Sequence, residues 1–264
     1  MEPIIQREIQ RLELLDANCR LGPSDLTISG APTTVQELTQ EMDRLGIAEA
    51  LVYHAAAAGY DPEFGNAQLM KELCATPRLR ACWVFMPHHT GEMEKPGRLV
   101  PRMLAGGARA VRMFPTVHRF SISGWSVDKL LAELSGHRVP LFLDFGRSHW
   151  SEEVVDYDGV ARICREFPSL PVVLVREGIG STRYVYPLLE CFENLLLELS
   201  YYQPSGGVAD ICQRFGAGRL LFGTGLPAYS GGPAISMLYY ADISFEEKKR
   251  VGGDNLRGLL LEVK

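Results

Sequence analysis

No run in this 264-residue chain approaches the ~18 uninterrupted apolar residues of a membrane span, so no spanning helix is expected. The six cysteines, Cys19, Cys74, Cys82, Cys164, Cys191 and Cys212, form no Cys-x-x-Cys pair, which removes zinc knuckles and dithiol redox motifs. Walker loops, dinucleotide fingerprints and Gly-x-Ser-x-Gly elbows are also missing, so nucleotide binding and serine-hydrolase chemistry have no signature here. Excess positive charge is lacking too: the net charge of −5 argues against a general nucleic-acid surface. The opening residues 1–8 lack the basic-then-apolar pattern of a secretory signal, making the cytoplasm the expected location.

What is present is ordinary for a soluble globular protein, with 46% hydrophobic and 22% charged residues. The cysteines are expected to be buried apolar side chains in a reducing compartment. Apolar runs of strand length alternate with segments of helical period. The strand candidates are residues 13–18, 48–53, 81–85, 108–113, 139–144, 171–175, 195–200 and 220–223. Several, such as Leu141-Phe142-Leu143, are apolar on both faces, the mark of parallel strands covered by helices. Thr34-Val35-Gln36-Glu37 and Ser244-Phe245-Glu246-Glu247 read as capping boxes. Asp61-Pro62 reads as a cap followed by a first-turn proline. Ser126 is expected to open another helix, and Gly252-Gly253 to break the C-terminal one. No linker or low-complexity stretch divides residues 1–264, so one domain is expected. About eight β–α alternations favour a (β/α)8 TIM barrel over an open doubly wound sheet, which would bring a Gly-rich first turn.

In such a barrel the working residues stand at the C-terminal strand ends. Those ends offer Asp16, Asn18 and Arg20; His54; Arg112; Asp144 and Arg147; Arg176 and Glu177. Period 2 places Asp16, Asn18 and Arg20 on one face, read as the barrel interior, and turns Cys19 away. His54 precedes Ala55-Ala56-Ala57-Ala58-Gly59, a loop of little bulk, and is the leading acid/base candidate; otherwise it is a satisfied polar group at a strand end. His118 and His149 lie in later loops, able to shuttle protons or simply to sit at the surface. The arginines have two open readings. They pair with Asp16, Asp144 and Glu177, or they leave a cation free for a carboxylate or phosphate.

On these residues the chain resembles the amidohydrolase superfamily, in particular the TIM-barrel hydrolases and decarboxylases of amidohydrolase family 2. The motifs are Leu15–Leu21, Gly178-Ile179-Gly180, Arg219–Pro227 and the tail Ala241–Arg257. The resemblance implies a divalent metal held by two histidines on strand one, histidines on strands five and six, and an aspartate on strand eight. The matching positions here are Asn18 and Arg20, Asp144, Glu177 (or Arg176) and Gly225. No histidine stands among them, Arg20 is a fixed cation, and Gly225 has no side chain. The expectation is therefore a metal-independent hydrolase or C–C lyase without a cofactor, acting on a small carboxylated or cyclic compound. Asp144, Glu177 or His54 serve as acid/base, and Asn18, Arg20, Arg112, Arg147, Arg176 and His118 bind an anionic substrate. A barrel that binds a small anion or a protein partner without catalysis is the competing reading. A metal enzyme with relocated oxygen ligands is the third, and a homo-oligomer is compatible with each.

Overall fold

The computed structural model describes residues 3–23, 30–146 and 155–264. Eight parallel strands follow one another around a barrel in sequence order: β1 (Leu14–Leu21), β2 (Ile47–His54), β3 (Leu79–Val84), β4 (Ala110–Met113), β5 (Leu141–Leu143), β6 (Val172–Leu174), β7 (Leu195–Glu198) and β8 (Leu220–Leu221). Each of the eight apolar runs read from the sequence overlaps one of them, and the runs 108–113, 139–144, 171–175, 195–200 and 220–223 contain theirs whole. Backbone bonds from Ala17 to the Phe222 carbonyl (2.8 Å), from Gly225 to that of Asn18 (3.0 Å) and from Arg20 to that of Leu226 (2.9 Å) join the last strand to the first. The result is a (β/α)8 barrel.

Period 2 along the strands sorts the apolar residues into two layers. Leu15, Ala17, Leu51, Cys82, Ala110, Phe142, Val173, Leu196 and Leu221 fill the interior. Leu14, Cys19, Leu21, Val52, Val111, Leu141, Val172 and Leu197 pack outward under the helices. Leu256 and Leu260 from the last helix, Asn255–Leu261, join the interior layer. Arg257 of that helix donates to the Glu13 carbonyl (2.5 Å) and to Glu49 (2.9 Å), which sets it against the strand starts. The opposite, C-terminal face is left for the site.

The helix Val35–Leu45 carries the full capping box of Thr34 and Glu37, and Ser244 with Glu247 repeats it at Phe245–Lys249. Asp61 caps Pro62–Leu73 as read. The helix expected at Ser126 begins at Gly124, because Ser123 already stands in the extended conformation of a cap. Gly252-Gly253 does not break the tail. Both glycines are buried in a π-helical turn, Arg250–Asp254, that carries the chain on to Asn255–Leu261. Two of the six cysteines also depart from expectation: Cys74 and Cys191 sit at helix ends and are exposed. No helix among the described residues is long and apolar enough to cross a membrane.

Candidate active site at the barrel mouth

Two residues beyond the interior positions Ala110, Phe142 and Leu196, the same inward face of β4, β5 and β7 turns from apolar to charged. It carries Arg112, Asp144 and Glu198, all buried. Arg112 sets Nε (3.0 Å) and Nη2 together on Oδ2 of Asp144. Arg176 sets its Nε (3.0 Å) and Nη2 on Oδ1 of the same carboxylate. One acid thus holds two cations side-on. Burial pushes the Asp144 carboxyl up, but the guanidiniums of Arg176 and Arg112 outweigh it and hold it below the usual range. Tyr53 lies under the Arg112 guanidinium, 4.4 Å from ring centroid to Cζ.

Arg176 reaches this position through its backbone. Strict alternation along β6 would send Val173, Val175 and Glu177 inward. Arg176 instead adopts φ +61°, a conformation costly for an L-residue, and the chain turns there. Glu177 is buried and accepts from the Tyr157 hydroxyl (2.8 Å).

On β1 an extra residue slips the pairing with β2 between Asp16 and Cys19. Leu15 and Ala17 face inward before the bulge, so Asp16 faces outward, and Asn18 and Arg20 face inward after it. The placement of Asp16, Asn18 and Arg20 on one face is therefore corrected. Asp16 pins the barrel seam: its Oδ1 accepts from the backbones of Asn18 (2.9 Å) and Thr224 (3.0 Å), and its Oδ2 from the Thr224 hydroxyl. Asn18 joins the charged cluster. Its Oδ1 accepts from Arg112 Nη1 (2.8 Å), and its Nδ2 donates to Glu198 (3.2 Å) and to Ser200 Oγ (3.0 Å).

Glu198 was not singled out in the sequence. The signal was there: one acid inside Leu195-Leu196-Leu197-Glu198-Leu199, two residues past an interior leucine. Its carboxyl accepts from the Ser200 backbone (2.6 Å) and hydroxyl (2.8 Å) and from the Arg176 backbone (3.3 Å). Gly223, just past β8, makes the room, since a Cβ there would stand 2.0 Å from Glu198 Oε1. Burial pushes Glu198 up to about 7, against the hydrogen bonds from Ser200 and the charge of Arg112.

The other candidates are placed elsewhere or used differently. His54 ends β2 beside the inward Tyr53. Its Nδ1 accepts from the Ala56 backbone (3.1 Å), capping the turn Ala55–Gly59, and its Nε2 lies 3.6 Å from Glu72. Burial lowers its pKa, with Glu72 opposing. His118 directs Nε2 to the Ala58 carbonyl (2.9 Å), and burial lowers its pKa as well. Arg147 and His149 lie outside the described residues. Arg20 is buried, and neither its Nε nor its Nη2 meets a hydrogen-bond acceptor among the described residues.

Gly225, where the resemblance implies an aspartate, has φ +74°, and a Cβ there would approach Tyr229 to 2.5 Å. The loop is built around the missing side chain. Gly225→Asp is expected to lower stability by about 2–4 kcal/mol, from left-handed strain plus overpacking. Thermal unfolding measures this, and a variant as stable as the parent would sink the account.

No family model and no curated protein matches the chain. Solved structures do. A 5-carboxyvanillate decarboxylase from Novosphingobium aromaticivorans, complexed with manganese and 4-hydroxy-3-methoxy-5-nitrobenzoic acid, is 12% identical, with 96% of this chain and 97% of that one covered at a TM-score of 0.76. A dihydroxybenzoic acid decarboxylase from Polaromonas, with bound manganese and 2-nitroresorcinol, is 14% identical over 94% and 96%, with a TM-score of 0.72. A probable 2-pyrone-4,6-dicarboxylic acid hydrolase from Acinetobacter baumannii, with citric acid bound, is 15% identical over 94% and 99%, with a TM-score of 0.66.

The expectation of no cofactor is corrected by the first two, which hold manganese in this same fold. The side chains at the matching positions do not fit such an ion as they are arranged. Asp144 has both oxygens on guanidiniums, Arg20 and Arg176 are cations, and Gly225 offers no ligand. Among the described residues no three His, Cys, Asp or Glu side chains gather closely enough to hold a metal. At these low identities the likeness establishes architecture alone: the chain has the (β/α)8 barrel fold that these decarboxylases and this hydrolase share.

Proposed function

We propose that the chain is a hydrolase or C–C lyase that acts on a small carboxylated or cyclic compound at the barrel mouth. The observation that carries the reading is Glu198, a buried carboxyl whose pKa is pushed up to about 7 within a network containing two guanidiniums. Hydrolysis moves protons to and from water and the leaving group. Decarboxylation delivers a proton to the carbon that loses CO2. Both need a proton carrier near neutral pH and fixed positive charge where negative charge develops. Glu198 carries the proton, with Ser200 and Asn18 as its hydrogen-bonded links to the mouth, and Arg112 and Arg176 supply the charge. Asp144 anchors those two cations, Glu177 stands with Tyr157, and His54 is occupied as a helix cap. The three proteins of this fold named above, each bearing the name of a ring acid, support the choice of substrate class.

The test is a panel of ring carboxylates assayed for CO2 or proton release, with and without added Mn²⁺. At least one compound should turn over, and Glu198→Gln should slow it by about 10²–10⁴-fold, the usual worth of general acid/base catalysis. Full activity in Glu198→Gln would overturn the assignment. Gly225 favours a second reading, a barrel that binds a small anion without turning it over, because strand eight ends with no acidic side chain. Binding without turnover across the whole panel would select it.

A further inference from the structure

Arg112 and Arg176 use one edge of the guanidinium in one way: Nε–H and Nη2–H together grip a single carboxylate oxygen of Asp144. Arg20 carries the same edge with nothing on it. Its Nε and Nη2 are buried and meet no acceptor among the described residues, and the residue as a whole is only 8% exposed. Its position is fixed from several sides. The backbone N–H bonds to the Leu226 carbonyl (2.9 Å), and the residue pairs with Tyr53 across β2. Cys19 and Leu21 on either side belong to the outer layer, so Arg20 projects to the inner face that carries Asn18, Arg112 and Asp144.

A buried donor without a partner is destabilising, more so when it is charged, and such groups in native proteins call for a bound partner. The parallel N–H pair of a guanidinium edge matches two oxygens of a carboxylate or of a phosphate, and the reading of the mouth as a site for small ring acids selects the carboxylate. We infer that the Nε/Nη2 edge of Arg20 is a carboxylate-binding subsite, seating the ligand's acid group side-on at the end of β1 with the rest of the ligand facing the Arg112–Asp144–Glu198 cluster. The inference rests on the reading of the mouth as a substrate site and names the group that anchors the substrate there.

Benzoate serves as the probe, with inorganic phosphate as the second arm, both titrated into the full chain by calorimetry. Benzoate should bind the parent. Arg20→Met should weaken it by about 10- to 100-fold, and Arg20→Lys, which keeps the charge and loses the fork, should fall between. Without anion, Arg20→Met should melt no lower than the parent, since it removes an unmet donor. The Arg20 Nε–H resonance, followed by ¹⁵N NMR in the unmutated protein, should move on saturation with benzoate, which keeps the idea testable if Arg20→Met fails to fold. Unchanged benzoate affinity in Arg20→Met, a stationary Nε–H resonance, or tighter binding of phosphate than benzoate would each overturn the subsite. So would a melting temperature several degrees lower in Arg20→Met, which would make the guanidinium structural. Arg20-dependent benzoate binding without turnover of any ring acid sinks the catalytic reading alone. Turnover with Arg20-independent binding sinks this inference alone.

Discussion

Asp144→Ala is expected to lower the unfolding free energy by about 3–5 kcal/mol, the largest effect of any single substitution at the mouth. The reason is the sharing of one carboxylate. Removing it leaves the Arg112 and Arg176 guanidiniums facing each other in a buried site with no counter-charge between them. The loss should be present at every pH where the folded protein is studied. Because the folded-state pKa is depressed, the stability from ionised Asp144 is in place above the ordinary carboxylate value. It fades only as pH falls through the lower, folded one. Urea unfolding of Asp144→Ala, Arg112→Met and the double variant reads this directly. The double variant should be less destabilised than the sum of the two singles, because removing a cation relieves part of the imbalance. Strict additivity, or a cost for Asp144→Ala under about 1 kcal/mol, would show that the two arginines do not depend on this acid.

Glu198 predicts the opposite pH behaviour. An acid whose folded-state pKa is raised binds its proton more tightly folded than unfolded. Stability from this group is therefore greatest below its ordinary value of 4.5 and falls as pH rises towards about 7. Across that window the loss is roughly 3 kcal/mol, at about 1.4 kcal/mol per pKa unit. Glu198→Gln cannot titrate, so the difference between parent and variant stability should change by that amount between pH 4.5 and 7 and stay flat above. The difference curve isolates Glu198 from His54, which pulls the other way because its lowered pKa favours the folded state as pH rises. A flat difference curve throughout would mean that the hydrogen bonds from Ser200 and Asn18 keep Glu198 ionised, and the proton carrier proposed above would be lost with it.

The barrel was legible because parallel strands buried on both faces leave runs such as Leu141-Phe142-Leu143, which no exposed element tolerates. Four of the residues that build the cluster, Asn18, Arg112, Asp144 and Arg176, were also legible as strand-end candidates, since a polar residue at the end of such a run has few other places to go. What stayed hidden depends on backbone irregularity and on distance through space. The bulge in β1 turned Asp16 outward, and a left-handed turn at Arg176, the alternative to Glu177 at the strand-six position, brought that side chain to Asp144. Period 2 cannot foresee either. Of the two open readings of the arginines, pairing holds for Arg112 and Arg176, which share Asp144, while Asp16 binds Thr224 and Glu177 accepts from Tyr157. Glu198 was passed over although it stands two residues past the interior Leu196, the same step that separates Arg112 from Ala110 and Asp144 from Phe142.

The hydrogen bonds at the mouth form a closed circuit: Asp144 to Arg112, Arg112 to Asn18, Asn18 to Glu198, Glu198 to the Arg176 backbone, and the Arg176 side chain back to Asp144. For a chain leaving the ribosome N-terminus first, this circuit sets a timetable. Arg112 emerges 32 residues ahead of the carboxylate that neutralises it, and Asn18 waits 180 residues for Glu198. A chain that ends after β4 carries Arg112 without its acid; Asp144 follows at the end of β5, Arg176 after β6 and Glu198 on β7. The circuit is complete only once Asn18 on the first strand meets Glu198 on the seventh.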